Sequence, residues 1–133
     1  MISDLNNFLQ SIITLQRRSF QSPKDLEENP SLKVVKDVLL YMTSNYDMLI
    51  ELDESALRKK LSDTIILAML NYNPYLRMLQ RSPSYFQRHK NELVSILLNL
   101  LRRNSKDFLI NLTAFFRIYL TSEPLYRILV SPQ

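Results

Sequence analysis

Residues 84–103, SYFQRHKNELVSILLNLLRR, carry the apolar pattern that decides the fold. Apolar side chains recur at intervals of three, four or seven residues, as at Phe86, Leu93, Leu97 and Leu100, with Leu101 beside the last. An α-helix has about 3.6 residues per turn, so this spacing places them along one side of a helix. The stretch is therefore predicted to be a long amphipathic helix whose opposite face meets solvent.

The same spacing recurs through most of the chain, without the strict alternation that predicts a strand. Helices are predicted over residues 3–18, 30–44, 54–70, 74–81, 84–103 and 106–120, with a last short one over 122–129. The 133 residues fit a single all-α domain, 1–133, which is either a whole protein or part of a longer one. We expect a bundle of about five to seven helices, with HEAT- or armadillo-like stacked helix pairs as the alternative.

One segment interrupts this helical pattern near the start of the chain. Residues 19–29 are mostly polar, contain Pro23 and show no helical period. We therefore predict an exposed linker between the first and second helices.

The predicted helix ends must be formed without glycine. Asp53 and Ser105 precede helical patterns and are expected to act as N-caps. Asparagine is the next best residue for the left-handed conformation that ends many helices. We expect Asn45, Asn71 and Asn104 to adopt it.

Two predicted helices carry apolar residues on both sides. A helix that is apolar all round is usually buried between neighbours, so we expect layered packing around both. The residues on their second faces are Ile66, Leu67 and Leu70 in one helix and Ile110, Ala114 and Ile118 in the other.

The composition excludes several kinds of chemistry. Phosphate-binding loops and dinucleotide fingerprints need glycine, and the chain has none. It has no cysteine and one histidine, which leaves no basis for thiol catalysis or a structural zinc site. His89 is expected on the surface, where Glu92 could pair with it one helical turn away. We therefore predict a non-enzymatic protein with no cofactor, metal or catalytic residues.

Hydropathy gives no sign of a membrane segment. The longest unbroken apolar run, residues 65–70, has six residues, against about 20 for a spanning helix. No secretory signal pattern is visible. We expect an intracellular protein, cytoplasmic or nuclear, with no membrane partner.

Charge is distributed unevenly along the chain. Residues 1–71 contain 8 basic and 10 acidic side chains, whereas residues 72–133 contain 9 basic and 3 acidic ones. We therefore predict a basic, aromatic-containing surface in the C-terminal half. The candidate partner-binding residues are Tyr75, Arg77, Arg81, Tyr85, Phe86, Arg88, His89, Lys90, Arg102 and Arg103.

This surface predicts an interaction or scaffold domain that binds an acidic or helical segment of another protein. The alternative is an RNA- or DNA-binding module, with the same cations on phosphates and the aromatic rings stacked on bases. Self-association through the apolar helices also stays open. Phe86 and Lys90 lie in line with the apolar stripe of the 84–103 helix. We expect the first turns of that helix to project from the bundle and expose both.

Overall fold

The computed structural model describes residues 2–20 and 29–119, with side chains described over 5–20 and 29–118. These ranges contain seven helices and no strand, which confirms the all-α class. The predicted helix over 122–129 lies outside the described residues. A one-turn helix, α3, occupies a segment in which the sequence predicts no helix. The helices are α1 (Ile2–Ser19), α2 (Pro30–Ser44), α3 (Tyr46–Leu49), α4 (Glu54–Met69), α5 (Asn73–Arg81), α6 (Pro83–Arg103) and α7 (Lys106–Tyr119).

Four of these helices pack in a closed arrangement. Helix α2 contacts α1 and α4, and α6 contacts the same two helices, so the order around the bundle is α1, α2, α4, α6. Helix α5 packs against α6, and α7 packs against α2. In a solenoid each unit contacts only its sequence neighbours, whereas here α1 contacts α6. The protein is therefore a bundle rather than a stack of helix pairs.

The core is centred on α2 and α6. Leu32, Val35, Val38, Leu39 and Met42 of α2 are all fully buried. Full burial of one such side chain stabilises the fold by roughly 1.5–3 kcal/mol relative to exposure. The apolar stripe of α6, Phe86, Leu93, Leu97, Leu100 and Leu101, is likewise buried. The pattern over 84–103 therefore identified one of the two central helices.

Side chains cap two helix starts as the sequence predicts. The backbone N–H of Ala56 donates to Oδ1 of Asp53 at 2.8 Å. The N–H of Phe108 donates to Oγ of Ser105 at 3.1 Å. Each contact satisfies an amide that has no partner inside the helix.

The C-terminal ends use asparagine in a different way from the predicted one. Asn45 and Asn104 have negative φ angles and are not left-handed. Their side-chain amides instead donate to the carbonyl oxygens of Tyr41 and Leu100, each at 2.9 Å. Among the described residues, positive φ occurs at Asn29 alone, where φ is 46° just before α2.

The expectation that α4 and α7 are enclosed on both sides is wrong. Leu67 of α4 is 69% exposed, and Ile118 of α7 is 62% exposed. Ile110 and Ala114 are also exposed, while Ile66 and Leu70 are half-buried. Among the described residues, α4 packs mainly against α2 and α6, and α7 packs mainly against α2, so these contacts do not cover Leu67 or Ile118.

The ends of the predicted linker belong to the folded core. Ser19 is the last residue of α1, and Phe20 and Asn29 are buried. The ring of Phe20 packs edge-on against Tyr75, with 5.2 Å between centroids. The rest of the predicted linker, residues 21–28, lies outside the described residues.

Candidate partner-binding site

Three of the ten predicted site residues are buried. Tyr75 and His89 have no exposed surface, and Phe86 is 2% exposed. The chain reverses direction after Arg81, the last residue of α5, and α5 packs along α6. The first turns of α6 therefore do not project from the bundle. The prediction that these three side chains bind a partner is therefore wrong. They belong to the core.

His89 lies at the centre of a buried polar cluster. Its Nδ1 is 2.7 Å from Oγ of Ser19, and its Nε2 is 2.7 Å from the hydroxyl of Tyr75. That hydroxyl is also 2.8 Å from Oγ of Ser31, whose backbone N–H donates to Oε1 of Gln16 at 3.1 Å. These bonds join α1, α2, α5 and α6. We call these five residues the histidine cluster.

The histidine cluster is uncharged. Burial lowers the pKa of His89 to about 3, with a smaller contribution from the nearby positive charge of Arg18. Burial likewise raises the pKa of the Tyr75 phenol well above its ordinary value. The expected pairing of His89 with Glu92 is wrong, because Glu92 accepts from Nη2 of Arg18 at 2.7 Å. Hydroxyls lie at both ring nitrogens, so among the described residues no carboxylate orients the imidazole as in a catalytic triad.

The remaining predicted residues do not form one patch. Arg81, Arg88 and Arg103 are exposed, while Arg77, Tyr85 and Lys90 are half-buried. At 100° per residue, Arg88 points directly away from the α6 core stripe, with Arg103 toward α1 and Arg102 toward α4. Helix α6 therefore distributes Arg88, Arg102 and Arg103 around its axis, so these three do not share one surface as predicted.

Arg88, Tyr85 and Arg102 each have a partner within the protein. The guanidinium of Arg88 lies over the ring of Tyr85, 5.0 Å from its centroid. The Tyr85 hydroxyl donates to the backbone carbonyl of Arg18. Nη1 of Arg102 is 3.6 Å from Oε1 of Glu54 on α4.

A groove on the α4–α6 seam brings cations together from two helices. We call it the basic groove. The Glu54–Arg102 contact sets an antiparallel register, in which the turn of α4 that holds Ser62 lies beside the turn of α6 that holds Val94. The groove has a volume of about 290 Å³ and is lined by Arg58, Lys59, Ser62, Lys90, Asn91, Val94 and Ser95.

The charge of the basic groove is poorly compensated. None of its lining residues is acidic. Within residues 5–20 and 29–118, Arg58 and Lys90 form no ion pair, and Nζ of Lys59 is 3.5 Å from Oδ2 of Asp63. Like charges that share a groove repel one another, and a half-buried ammonium is screened less than an exposed one. The groove therefore favours an anion.

An apolar pocket of about 320 Å³ adjoins the basic groove. Arg102 lines this pocket, and its ion-pair partner Glu54 lies one helical turn before Arg58. The pocket includes Ile50, which is 52% exposed. Its lining residues are Tyr46, Ile50, Leu52, Leu57, Leu101 and Arg102.

A larger groove of about 590 Å³ runs between α1 and α6 but offers less to a charged ligand. Its two charged residues, Arg18 and Glu92, bind each other. The other side chains that line it are neutral, mostly hydroxyls and amides such as Ser11 and Asn7. We therefore take the basic groove as the candidate site.

Arg58 and Lys59 were not among the predicted partner-binding residues. Both lie within residues 1–71, which carry a net negative charge. A comparison of charge between the two parts of the chain therefore does not place them in the basic part. The run of three cations at 58–60 was the available signal. That run contributes to a basic groove only because α4 packs beside α6, and this packing is a tertiary contact.

Searches for other kinds of site gave no further candidate. Among the described residues, histidine and acidic side chains form no group of three that could hold a metal ion. In the same part of the chain, no helix is long and apolar enough to cross a bilayer. No protein-family model, curated protein or solved structure matches the chain. The function is therefore argued from the groove itself.

Proposed function

We propose that the protein is a non-enzymatic interaction domain that binds an acidic segment of another protein along the α4–α6 seam. The observation that carries this proposal is the uncompensated charge of Arg58 and Lys90 in the basic groove. Acidic side chains placed there would neutralise two cations that have no counter-ion in the described part of the chain. Complementary charge of this kind speeds encounter and fixes the register of binding.

The apolar pocket supports a protein partner over a nucleic acid. A peptide can present an apolar side chain to the pocket around Ile50 and acidic ones to the basic groove, whereas a phosphate backbone offers only charge. Among the described residues, the aromatic rings near the predicted surface are poorly placed for base stacking, since Lys33 lies over the ring of Tyr72 and Arg88 over the ring of Tyr85. Tyr75 and Phe86 are buried, and the hydroxyl of the half-buried Tyr72 donates to Asp37 at 2.6 Å.

The spacing of the two concavities constrains the partner segment. From Ser95 in the basic groove to Leu101 in the pocket, α6 rises about 9 Å. An extended peptide covers that distance in about three residues, and a helix covers it in about six. The partner should therefore carry an apolar residue and acidic residues separated by one of these intervals.

Selection from a displayed library of random peptides, about 16 residues long, tests this proposal. Enriched peptides should combine an apolar residue with acidic residues at the stated spacing. Their affinity, measured by fluorescence anisotropy, should fall at least about tenfold with the double substitution Arg58→Glu/Lys90→Glu. The matched control, Arg81→Glu/Arg88→Glu, changes net charge equally and should alter affinity less than about twofold.

Other outcomes would redirect or remove the proposal. Equal losses in both double variants would mean that only net charge attracts the peptides. A loss confined to Arg81→Glu/Arg88→Glu would move the site to the α5–α6 surface that the sequence predicted. Mixed oligonucleotides that bind the basic groove more tightly than any selected peptide would favour the nucleic-acid alternative. Light scattering across the same concentrations tests whether the protein self-associates.

The intracellular location expected from the sequence, cytoplasmic or nuclear, is part of this proposal. Fractionation of cells that express the protein would test it. Recovery in a membrane or secreted fraction would contradict it.

A further inference from the structure

The donors around the basic groove match a group with more charge than a carboxylate. Three cations line the groove, and Ser62, Asn91 and Ser95 add two hydroxyls and an amide. A carboxylate carries one negative charge and two oxygens. A phosphate monoester carries nearly two negative charges near pH 7 and three acceptor oxygens.

We infer that the basic groove binds a phosphoryl group carried by a phosphorylated serine or threonine of the partner segment. This inference rests on the proposed function, since it specifies the chemistry of the partner at the same site. Arg58 and Lys59 approach the group from α4, and Lys90 approaches it from α6. A ligand held between two helices neutralises cations on both, whereas each helix alone offers a weaker site.

The ion pair of Lys59 with Asp63, which does not line the groove, does not block this role. Lys59 and Asp63 are both largely exposed, and their charged atoms are 3.5 Å apart. Exposed pairs of this kind contribute little to stability, so Lys59 can exchange its carboxylate partner for a phosphate. Charge-assisted bonds from arginine or lysine to phosphate are about twice as strong as neutral hydrogen bonds.

Inorganic phosphate is the first probe. It is titrated into ¹⁵N-labelled protein at constant ionic strength, with chloride as the replaced anion. We expect saturable amide shifts centred on Ser62, Asn91 and Ser95. Lys90→Gln should weaken apparent affinity at least about fivefold, because it removes the cation contributed by α6. The matched control is Lys60→Gln, an exposed lysine on α4 that does not line the groove, and it should change affinity less than about twofold.

Peptides then establish the source of the phosphoryl group. Three versions of one library-selected peptide carry serine, glutamate or phosphoserine at the position that faces the groove. We expect the phosphoserine version to bind at least about tenfold more tightly than the serine version, with glutamate between them. Lys90→Gln should remove most of that advantage. In a parallel assay, vesicles that contain phosphatidic acid should not retain the protein through Lys90.

The outcomes separate this inference from the proposed function. Equal affinity for the three peptides, with binding still dependent on Arg58 and Lys90, would overturn the phosphoryl assignment alone. Localised phosphate shifts without any selected peptide would overturn the protein partner. Lys90-dependent retention on vesicles would move the phosphoryl group to a lipid. Phosphate shifts that Lys90→Gln and Lys60→Gln weaken equally would remove the site.

Discussion

His89 and Lys90 are neighbours in the chain, yet they lie in opposite environments on α6. His89 faces the interior, where hydroxyls occupy both ring nitrogens and burial keeps the imidazole neutral. Lys90 faces the α4–α6 seam, where it has no ion pair in the described part of the chain and lies beside Arg58 and Lys59. The fold satisfies one side chain, whereas the other is the one that we propose binds a ligand.

Removal of the imidazole should be the most damaging of these changes. His89→Ala empties a fully buried position and leaves the hydroxyls of Ser19 and Tyr75 without their shared partner. We expect the free energy of unfolding to fall by about 3 kcal/mol. Urea denaturation measures it, with Arg88→Ala, an exposed neighbour on the same helix, as the control. A loss no larger than that of Arg88→Ala would show that the histidine cluster does not hold the helices together.

Acid should weaken the fold through the same residue. The folded protein keeps His89 neutral down to about pH 3, while the unfolded chain takes up a proton near pH 6.5. Because the unfolded state binds more protons, stability is complete above pH 6.5 and is lost as the pH falls toward 3. Between pH 7 and pH 5 the native protein should lose about 2 kcal/mol more than His89→Gln. Equal losses would mean that His89 is solvated in the folded state.

Removal of the Tyr75 hydroxyl should have a smaller effect. Tyr75→Phe keeps the ring against Phe20 but deletes the hydroxyl bonded to Ser31 and His89. We expect a loss of about 1.5 kcal/mol in the free energy of unfolding. Tyr85→Phe is the matched control, since its hydroxyl bonds a carbonyl near the surface and its loss should matter less. An equal or larger effect of Tyr85→Phe would contradict the central place of the cluster.

Substitution of Lys90 should stabilise the fold, whereas the preceding changes destabilise it. Lys90→Met keeps a long, flexible aliphatic stem and removes one of three neighbouring positive charges. We expect the free energy of unfolding to rise by about 0.5 kcal/mol at low salt and the gain to shrink as salt screens the repulsion. Lys60→Met, outside the basic groove, should give no such salt-dependent gain. A loss of stability in Lys90→Met would show that the ammonium already has a partner.

The core residues of α6 could be predicted from the sequence, but the role of its polar residues could not. Helical spacing identified Leu93, Leu97 and Leu100 as core, and all three are buried. The same spacing gave no account of His89, because its partners Ser19 and Tyr75 come from other helices. Burial of a polar group depends on whether distant residues supply hydrogen bonds, and that information is not in the local pattern.

The candidate site likewise combines a residue that the sequence predicted with residues that it did not predict. Lys90 was predicted as a partner-binding residue, and it lines the basic groove. Its companions Arg58 and Lys59 were missed because they lie about thirty residues earlier, in a half of the chain with excess acid. Two of the three predicted aromatic residues, Tyr75 and Phe86, became core when α5 packed on α6, whereas Tyr85 is half-buried.

Local sequence patterns predict the six longer helices of the described residues, the core stripe of α6 and the N-caps at Asp53 and Ser105, because each depends on residues within a few positions of one another. Tertiary structure alone decided that α1 closes the bundle against α6, that His89 is neutral, and that cations from α4 and α6 share one groove. The two groups of features differ in how far apart along the chain the interacting residues lie. Helix formation is governed by local spacing, whereas burial and charge compensation depend on which distant helices pack together.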